Sequence, residues 1–334
     1  MHDKVLLAHG SGGKLSHDLV ERLLVPHFKN PLLEKLDDSA SFRASGRLAF
    51  TTDSYIVSPI FFPGGDIGKL AVCGTVNDLS MVGARPLYLS LSFIIEEGSP
   101  IADLERLARS IQGAAQEAEV TVITGDTKVV DRGSADGLFI NTAGIGTVPE
   151  GVDISGSNAC PGDAIILSGP IGDHGIAVMS QREGISFNSR VESDVAPLNR
   201  LVQAMLEASP RIHALRDPTR GGVASTLNEI ARQSGVGIHI EEELVPVRDA
   251  VRAACEMLGL DPLYAANEGR LVAFVPEEDV ERVLRAMRGE RYGSGAVVIG
   301  RAGVEHPGRV VMRTRLGTSR IVDMLTGEPL PRIC

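Results

Sequence analysis

The sequence contains no tryptophan, and only 4% of its residues are aromatic. Its four cysteines, Cys73, Cys160, Cys255 and Cys334, are widely spaced and form no Cys-x-x-Cys pair. This spacing argues against a zinc site and against a disulfide framework. No stretch approaches the roughly 20 apolar residues of a membrane-spanning helix, and no apolar signal segment follows the first methionine. These absences predict a protein of the reducing cytoplasm.

Positive charge is also scarce. The 33 Lys and Arg residues are outnumbered by 43 Asp and Glu residues, which gives a net charge of −10. That balance argues against non-specific binding to nucleic acid. The apolar fraction of 43% and charged fraction of 23% are typical of a soluble globular protein. Glycine is abundant, with 37 residues, and predicts many tight turns and backbone-lined sites.

The order of strand and helix patterns predicts two α+β domains rather than one doubly wound sheet. In the first half, helices are predicted over 67–81 and 101–118, and strands over 47–52 and 120–124. Turn-forming residues after residue 149 place a domain boundary at about residue 155. The predicted divisions are 1–40, 41–155, 156–322 and a mobile tail over 323–334.

Aspartates recur beside Gly, Thr, Ser or Asn in short motifs that are predicted to end strands or form turns. They are Asp38, Asp53, Asp78, Asp126 and Asp217. Mg²⁺ takes one or two carboxylates together with waters and phosphate oxygens. Carboxylates from separate loops could therefore share such ions around a triphosphate. The alternative is that these aspartates only form turns and helix N-caps.

Two glycine-rich segments could bind phosphates through backbone N–H groups. The first contains Gly10, Ser11, Gly12 and Gly13, and lacks the spacing of a Walker A loop. The second contains Thr219, Arg220, Gly221 and Gly222. Small residues at a helix start suit an anion, and so does an arginine. Arg220 could equally form a structural ion pair.

Two further charged residues are candidates for catalysis. Lys128 follows Asp126 by two positions and could place a cation on a phosphate or on a reacting oxygen. Glu268 lies between small residues just before an apolar strand, where it could act as a general base. The alternative for Glu268 is a solvated surface residue.

The last residue of the sequence is Cys334. Pro329 and Pro331 favour an extended arm that forms no sheet hydrogen bonds. A thiol on such an arm could be charged with a chemical group in one place and presented in another. The alternative is an incidental thiol on a frayed chain end.

Taken together, these motifs resemble the carbamoyl dehydratase family of nickel–iron hydrogenase maturation. That family belongs to the superfamily of aminoimidazole-ribonucleotide synthetase, selenophosphate synthetase and thiamine-monophosphate kinase. The resemblance covers essentially the whole chain, and the quoted motifs are 8–13, 77–86, 125–130, 217–222 and 267–270. The Pro-Arg-Ile-Cys ending at 331–334 distinguishes the dehydratases from the kinase and synthetase relatives.

The resemblance implies an N-terminal domain, 41–155, that binds ATP and pairs its sheet with a second copy in a dimeric β-barrel. A C-terminal domain, 156–322, would close a cleft over ATP. By similarity, Asp38, Asp53, Asp78 and Asp126 would organise Mg²⁺ and phosphate. The nucleotide site would be lined by the two glycine-rich segments and Asp217.

The resemblance also implies an activity. Cys334 would receive a carbamoyl group from the carbamoyltransferase HypF, and ATP would drive its dehydration to S-cyanate. Lys128 would orient the carbamoyl group and Glu268 would take a proton. The cyanide would pass to iron held by HypC and HypD. The alternatives are a small-molecule kinase or synthetase of the same superfamily, and a non-catalytic carrier whose tail only docks a partner.

Overall fold

The computed structural model describes residues 3–10, 14–35, 39–184, 191–325 and 332–334. Ser11, Gly12, Gly13 and Asp38 lie outside the described residues, as do the tail prolines Pro329 and Pro331. Within the described residues the chain forms two main sheets, each covered by helices, which is the α+β architecture that the sequence predicts. The exact domain limits stay a prediction.

The first sheet has four strands in the order β1-β6-β4-β5. Its strands are β1 (Arg47–Tyr55), β4 (Arg85–Glu96), β5 (Thr121–Val130) and β6 (Leu138–Val148). Buried and half-buried residues alternate along β6, as expected for a sheet with one covered face. Two helices pack on the covered face, α3 (Ile67–Met81) and α4 (Ile101–Glu117). A short hairpin, β2 (Phe61–Phe62) and β3 (Gly65–Asp66), precedes α3.

Helix α3 is the central helix of this domain. Asp66 caps its start, because its Oδ1 accepts hydrogen bonds from the N–H groups of Gly68 and Lys69 at 2.9 Å. Most of its residues are buried, since α3 lies between the first sheet and the second domain. The preceding segment contains α1 (Lys14–Leu19), a π-helical turn (Val20–Leu24) and α2 (Val25–Phe28).

The second sheet has seven strands in the order β13-β12-β9-β11-β7-β10-β8. They are β7 (Ala164–Leu167), β8 (Ala214–Arg216), β9 (Gly237–Glu241), β10 (Val272–Val275), β11 (Val297–Gly303), β12 (Val310–Arg313) and β13 (Ser319–Val322). The helices are α5 (Asp173–Glu183), α6 (Asn199–Ala208), α7 (Gly222–Ser234), α8 (Asp249–Leu258) and α9 (Val280–Gly289). Across the described ranges no helix is long and apolar enough to cross a membrane.

Two predicted strand ends are wrong. Strand β1 continues to Tyr55 and contains Asp53, while β5 continues to Val130 and contains Asp126 and Lys128. Both strands are edges of the four-stranded sheet. An edge strand tolerates charged residues because one side of its backbone faces away from the sheet. The turn-like composition of these motifs therefore marked the sheet edges instead of the strand ends.

The two domains are joined through Asn77 of α3. Its side-chain oxygen accepts a hydrogen bond from the N–H of Leu198 at 2.8 Å, and its side-chain nitrogen donates to the carbonyl of Ala196 at 3.1 Å. The same nitrogen lies 3.4 Å from the carbonyl oxygen of Glu268. Asn77 is fully buried, so these bonds are shielded from water. The position of the second domain against α3 therefore depends on this amide.

Two helical glycines give a matched test of packing at α3. A Cβ at Gly74 would lie 2.2 Å from the hydroxyl of the buried Tyr55, whereas a Cβ at Gly113 of α4 would meet no atom within 4 Å. We expect Gly74→Ala to lower the free energy of unfolding by about 1–3 kcal/mol through overpacking. Gly113→Ala should raise it by about 0.5–1 kcal/mol through helix propensity. Urea unfolding measures both, and equal effects would contradict the tight packing of α3 on β1.

Candidate functional site

The end of the chain lies in a cleft between the two domains. Residues 332–334 run antiparallel to the segment that follows β1. The N–H of Ile56 donates to the carbonyl of Cys334 at 3.4 Å, and the N–H of Ser58 donates to the carbonyl of Arg332 at 3.2 Å. Ile333 is only 4% exposed and packs into the core of the first domain. The structure thus places this segment in an inward position.

The thiol of Cys334 faces the second domain. Its Sγ lies 3.3 Å from a guanidinium nitrogen of Arg220, just before α7. Burial raises the pKa of this thiol to about 12, and the negative charge of Glu268 adds to the rise. Arg220 opposes both effects. The docked thiol is therefore protonated at neutral pH and a poor nucleophile.

Glu268 is a deeply buried acid of the cleft. The residue is 2% exposed, and its Oε1 has no hydrogen-bond partner among the residues that the structure describes. Burial raises the pKa of Glu268 well above its ordinary value, and the negative charges of Asp217 and Asp194 contribute further. A buried carboxyl with an unpartnered oxygen is costly, and such groups concentrate at functional sites.

The loop that carries Glu268 is held by buried hydrogen bonds. The side-chain oxygen of Asn267 accepts from the N–H of Gly172 at 2.7 Å, and its side-chain nitrogen donates to the carbonyl of Pro218 at 3.0 Å. The N–H of Glu268 donates to Asp194 Oδ1 at 3.1 Å. These bonds hold the backbone of the Glu268 loop in place.

Three further acids surround this position. Asp78 Oδ2 accepts a hydrogen bond from the hydroxyl of Thr51 at 2.9 Å, and burial raises the pKa of Asp78. Burial also raises the pKa of Asp217 to about 7, with the negative charge of Asp78 as the next contribution. Asp53, although exposed, adds to the rise at Cys334, Glu268 and Asp217. We call Asp53, Asp78, Asp217 and Glu268 the acidic cluster.

The acidic cluster suits a hard cation by its donor chemistry. Oxygen ligands on concentrated negative charge fit Mg²⁺, which commonly takes only one or two carboxylates. No three His, Cys, Asp or Glu side chains among the described residues converge as a ready-made metal site. The residues present therefore fit an ion that is shared with phosphate and water, but not an ion held entirely by protein.

The turn before α7 brings backbone and charge to the same cleft. Gly221 and Gly222 have left-handed backbone angles, with φ of +80° and +61°. A Cβ at Gly222 would lie 2.4 Å from the carbonyl of Leu263. Glycine is therefore needed for both backbone angle and space. With Asp217, Thr219 and Arg220, this turn forms the predicted nucleotide-binding segment of the second domain.

The remaining predicted residues lie elsewhere, at the β5 edge. Gly10 packs against Val129 of β5, and Lys128 Nζ forms a 2.9 Å ion pair with Asp126. Gly10, Asp126 and Lys128 line a pocket of about 350 Å³ between β5 and the N-terminal helices. Apolar side chains, including Leu24 and Phe28, also line this pocket. We call this the β5 pocket.

Strand register separates the two sites within one chain. Asp53 pairs with Thr142 on β6, whereas Asp126 pairs with Ser92 on β4. Strands β1 and β5 are three inter-strand steps apart, which is about 14 Å. The two aspartates also lie in adjacent rows, so that their side chains leave opposite faces of the sheet. Asp53, Asp78 and Asp126 therefore do not come together at one site within a single chain.

Sequence reasoning missed the residues that hold the chain end. His174 Nε2 lies 2.9 Å from the carbonyl oxygen of Ile333, and Arg182 donates to the carbonyl of Arg332 at 2.7 Å. Asp194, which contacts the Glu268 loop, was also not predicted. None of the three belongs to a recognisable motif. Their importance arises only where α5 and the following loop meet the chain end.

Comparisons with known proteins agree with this architecture. The sequence matches the N-terminal domain of AIR synthase related protein over residues 36–148 and its C-terminal domain over residues 160–313. Two such domains, with an acidic cleft between them, define a member of the AIR synthase related proteins.

The chain is also 54% identical to the carbamoyl dehydratase HypE of Azotobacter vinelandii over 331 residues, which is 99% of this chain and 97% of that protein. A crystal structure of HypE in complex with ATP covers 98% of this chain and 99% of its own, with 53% identity and a TM-score of 0.96. A HypE–HypF complex matches 92% of this chain and 99% of its own, with 50% identity and a TM-score of 0.82. The chain belongs to the HypE family of carbamoyl dehydratases.

The raised pKa of Asp217 predicts a pH dependence of stability. The carboxyl keeps its proton in the folded protein up to about pH 7 but loses it near pH 4 when unfolded. Its contribution to stability is therefore lost as pH rises from about 4 through 7. We expect Asp217→Asn to become progressively more stabilising over this range in metal-free buffer. Urea unfolding with EDTA checks this, with the exposed Asp131→Asn as control. A constant difference at every pH would contradict it.

Proposed function

We propose that this protein is an ATP-dependent dehydratase that converts an S-carbamoyl group on Cys334 into S-cyanate for nickel–iron hydrogenase assembly. The observation that carries the proposal is the docked chain end, which holds the Cys334 thiol against Arg220 and within the field of Glu268. Membership in the HypE family supplies the reaction class. A scaffold that only docked a partner would have no need of an acidic cluster beside its terminal thiol.

The reaction balances as S–CO–NH₂ plus ATP giving S–C≡N, ADP and phosphate. The carbamoyl oxygen attacks the γ-phosphorus of ATP, and the bond to ADP breaks. The carbon–oxygen bond then breaks and phosphate leaves with that oxygen. The nitrogen gives up both protons, one to the protein base and one to the departing phosphate. An amide oxygen is a poor leaving group, so its conversion to phosphate supplies the driving force. The chain must hold charge on the oxygen side and a base on the nitrogen side.

Glu268 is proposed as that base. Burial and the negative charges of the surrounding acids raise the pKa of Glu268 and so favour its protonated form. Neutralisation of Asp53, Asp78 and Asp217 removes the repulsion that favours this proton. Once ionised, a buried carboxylate takes a proton more readily than an exposed one does. Glu268 is thereby suited to deprotonate the carbamoyl nitrogen when the site is loaded.

Asp53 and Asp78 are proposed to hold Mg²⁺ beside the chain end, and Asp126 to serve phosphate or metal at the β5 pocket. Asp38 is proposed to help organise Mg²⁺ and phosphate, as the resemblance implies. Bound Mg²⁺ would shield the triphosphate charge and polarise the phosphoryl group. Arg220 would remain the protein cation that contacts the reacting sulfur.

ATP is proposed to bind the glycine-rich segments that the sequence singles out. Support comes from the β5 pocket, whose lining includes apolar side chains that could contact the adenine base and Gly10 and Lys128 that could contact phosphate. The turn at 217–222 lies at the other site, beside the chain end, and would contact this nucleotide from a second copy of the chain in the proposed dimer. Lys128, which in this chain pairs with Asp126 instead of Glu268, is more readily assigned to phosphate than to the carbamoyl group.

The chain end is proposed to have an inward state for dehydration and an outward state for loading and delivery. HypF is the proposed source of the carbamoyl group, and a solved HypE–HypF complex is among the relatives. HypC and HypD are the proposed acceptors of cyanide. A buried thiol of raised pKa cannot be loaded readily in place, so the inward position of Cys334 requires such movement.

Loss of water from Cys334 is the decisive measurement. We expect that carbamoylated protein given Mg-ATP loses one water from the peptide that contains Cys334, as seen by mass spectrometry. Glu268→Gln should abolish this loss, with rates lower by about 100-fold or more, while ATP binding persists. Loss of binding as well would make Glu268 a structural residue.

Cys334→Ser is the control for that experiment. A mass change that persists in Cys334→Ser, or the lack of a mass change in the wild-type protein, would contradict the proposal. ATP turnover with a free small molecule that is unaffected by Cys334→Ser would instead identify a kinase or synthetase. Absence of any tail-dependent ATP hydrolysis would leave a non-catalytic carrier.

A homodimer is proposed from the open face of the four-stranded sheet. Phe50 is 72% exposed there, and Leu48 and Ile94 are also exposed. The sheet of one chain is open, with β1 and β5 as its edges. A second copy could cover this apolar face and complete an eight-stranded barrel, which would remove both edges.

Phe50→Asp tests this interface. Burying a charge there should raise the dimer dissociation constant by about 30-fold or more, as measured by light scattering over a concentration series. Leu316→Asp is the matched control, because Leu316 is 93% exposed on the β12–β13 turn of the second domain. Unchanged dimerisation of Phe50→Asp would place the interface elsewhere.

A further inference from the structure

The chain end is held through its main-chain carbonyl groups. The two residues that contact these carbonyl groups, His174 and Arg182, belong to α5. We propose that His174 and Arg182 form a latch that recognises the carbonyl groups of Arg332 and Ile333 and thereby positions Cys334 in the cleft. This deepens the proposed function, because it names the binding site of the carrier arm. Both residues act through the segment that they hold, so they are positioning residues.

The geometry of His174 suits it to donate a hydrogen bond to the chain end. The ring is fully buried, with Nε2 2.9 Å from the Ile333 carbonyl oxygen and Nδ1 2.8 Å from the hydroxyl of Ser193. A carbonyl only accepts, so Nε2 carries the proton and Nδ1 accepts from Ser193. Phe62 packs edge-on against the ring at 5.4 Å between centroids. The imidazole is therefore locked with its N–H aimed at the chain end.

Arg182 holds the preceding residue. One of its terminal nitrogens donates to the Arg332 carbonyl at 2.7 Å, while its Nε donates to the Ser58 carbonyl at 2.8 Å. Arg182 thus ties the chain end to the strand-like segment with which it pairs. Arg332 is itself in ion-pair contact with Asp136.

Binding of the arm by the latch depends little on the chemical group carried beyond residue 333. Its polar contacts are to main-chain carbonyls, and the Ile333 side chain fills an apolar site in the first domain. The sulfur of Cys334 instead faces Arg220, on the other side of the cleft from the first domain. A group attached to sulfur can therefore change while the grip on residues 332 and 333 stays the same. Such a site suits an arm that must dock as thiol, S-carbamoyl and S-cyanate.

The four cysteines give an internal readout of docking. Cys334 is half-buried, Cys160 is exposed, and Cys73 and Cys255 are buried. Iodoacetamide alkylation of each thiol, followed by peptide mass spectrometry, measures release of the arm without ATP or a carbamoyl group. The result is therefore independent of whether Cys334 carries out the proposed chemistry.

We expect His174→Leu to speed alkylation of Cys334 by about fivefold to tenfold, as the loss of one buried hydrogen bond implies. Alkylation of Cys160 should not change. His174→Gln, which keeps a donor at the Nε2 position, should stay within about twofold of the wild-type rate. An unchanged Cys334 rate in His174→Leu, with Cys73 and Cys255 still protected, overturns the proposal.

Arg182→Met gives a second route to the same question, because Arg182 is less buried than His174. It should also speed Cys334 alkylation several-fold, whereas the exposed Arg285→Met should not. If Cys73 and Cys255 become reactive in His174→Leu, that variant has lost its fold, and Arg182→Met then provides the test of the latch. A wild-type Cys334 rate in Arg182→Met then overturns the latch.

Discussion

The main physical constraint on this structure is the crowding of carboxyl groups in the cleft between the two domains. Asp53, Asp78, Asp217 and Glu268 each raise the pKa of another member or of the Cys334 thiol. Such a cluster is unfavourable for folding by itself, since desolvation and like charge add. It is held in place by the surrounding buried hydrogen bonds. The cost of this arrangement is understandable if cations and phosphate complete the site.

Asn77 and Asn267 explain how the cluster is kept together across two domains. Asn77 connects α3 to the segment before α6 and to the Glu268 loop. Asn267 connects the same loop to the start of α5 and to Pro218 beside Asp217. Both amides are fully buried, so each leaves costly unpaired groups if the domains separate. The acidic residues of α3 and of the 217–222 turn are therefore held in one rigid frame.

The sequence predicted helices α3 and α4 closely, because a long amphipathic or continuously apolar pattern depends on local spacing alone. It placed Asp53 and Asp126 wrongly at strand ends, because an edge strand and a turn share the same polar composition. A free cysteine outside any motif is usually a buried small hydrophobic residue. Cys73 and Cys255 follow this rule, whereas Cys160 is exposed. Strands β12 and β13 were not predicted, since each has only a short apolar signal.

By itself, the sequence determined the family, the α+β class and most of the residues around the chain end. These follow from motifs whose residue types and spacing are local properties of the chain. Only the tertiary structure decided that Glu268 lies near Cys334, with Asp78 and Asp217 close to Glu268, while Asp126 and Lys128 lie at another edge. Strand order and register set those positions, and they arise from contacts between residues distant in sequence. For the same reason, only the fold shows that His174 and Arg182 contact the chain end, because the contacting residues are more than 140 positions apart in the sequence.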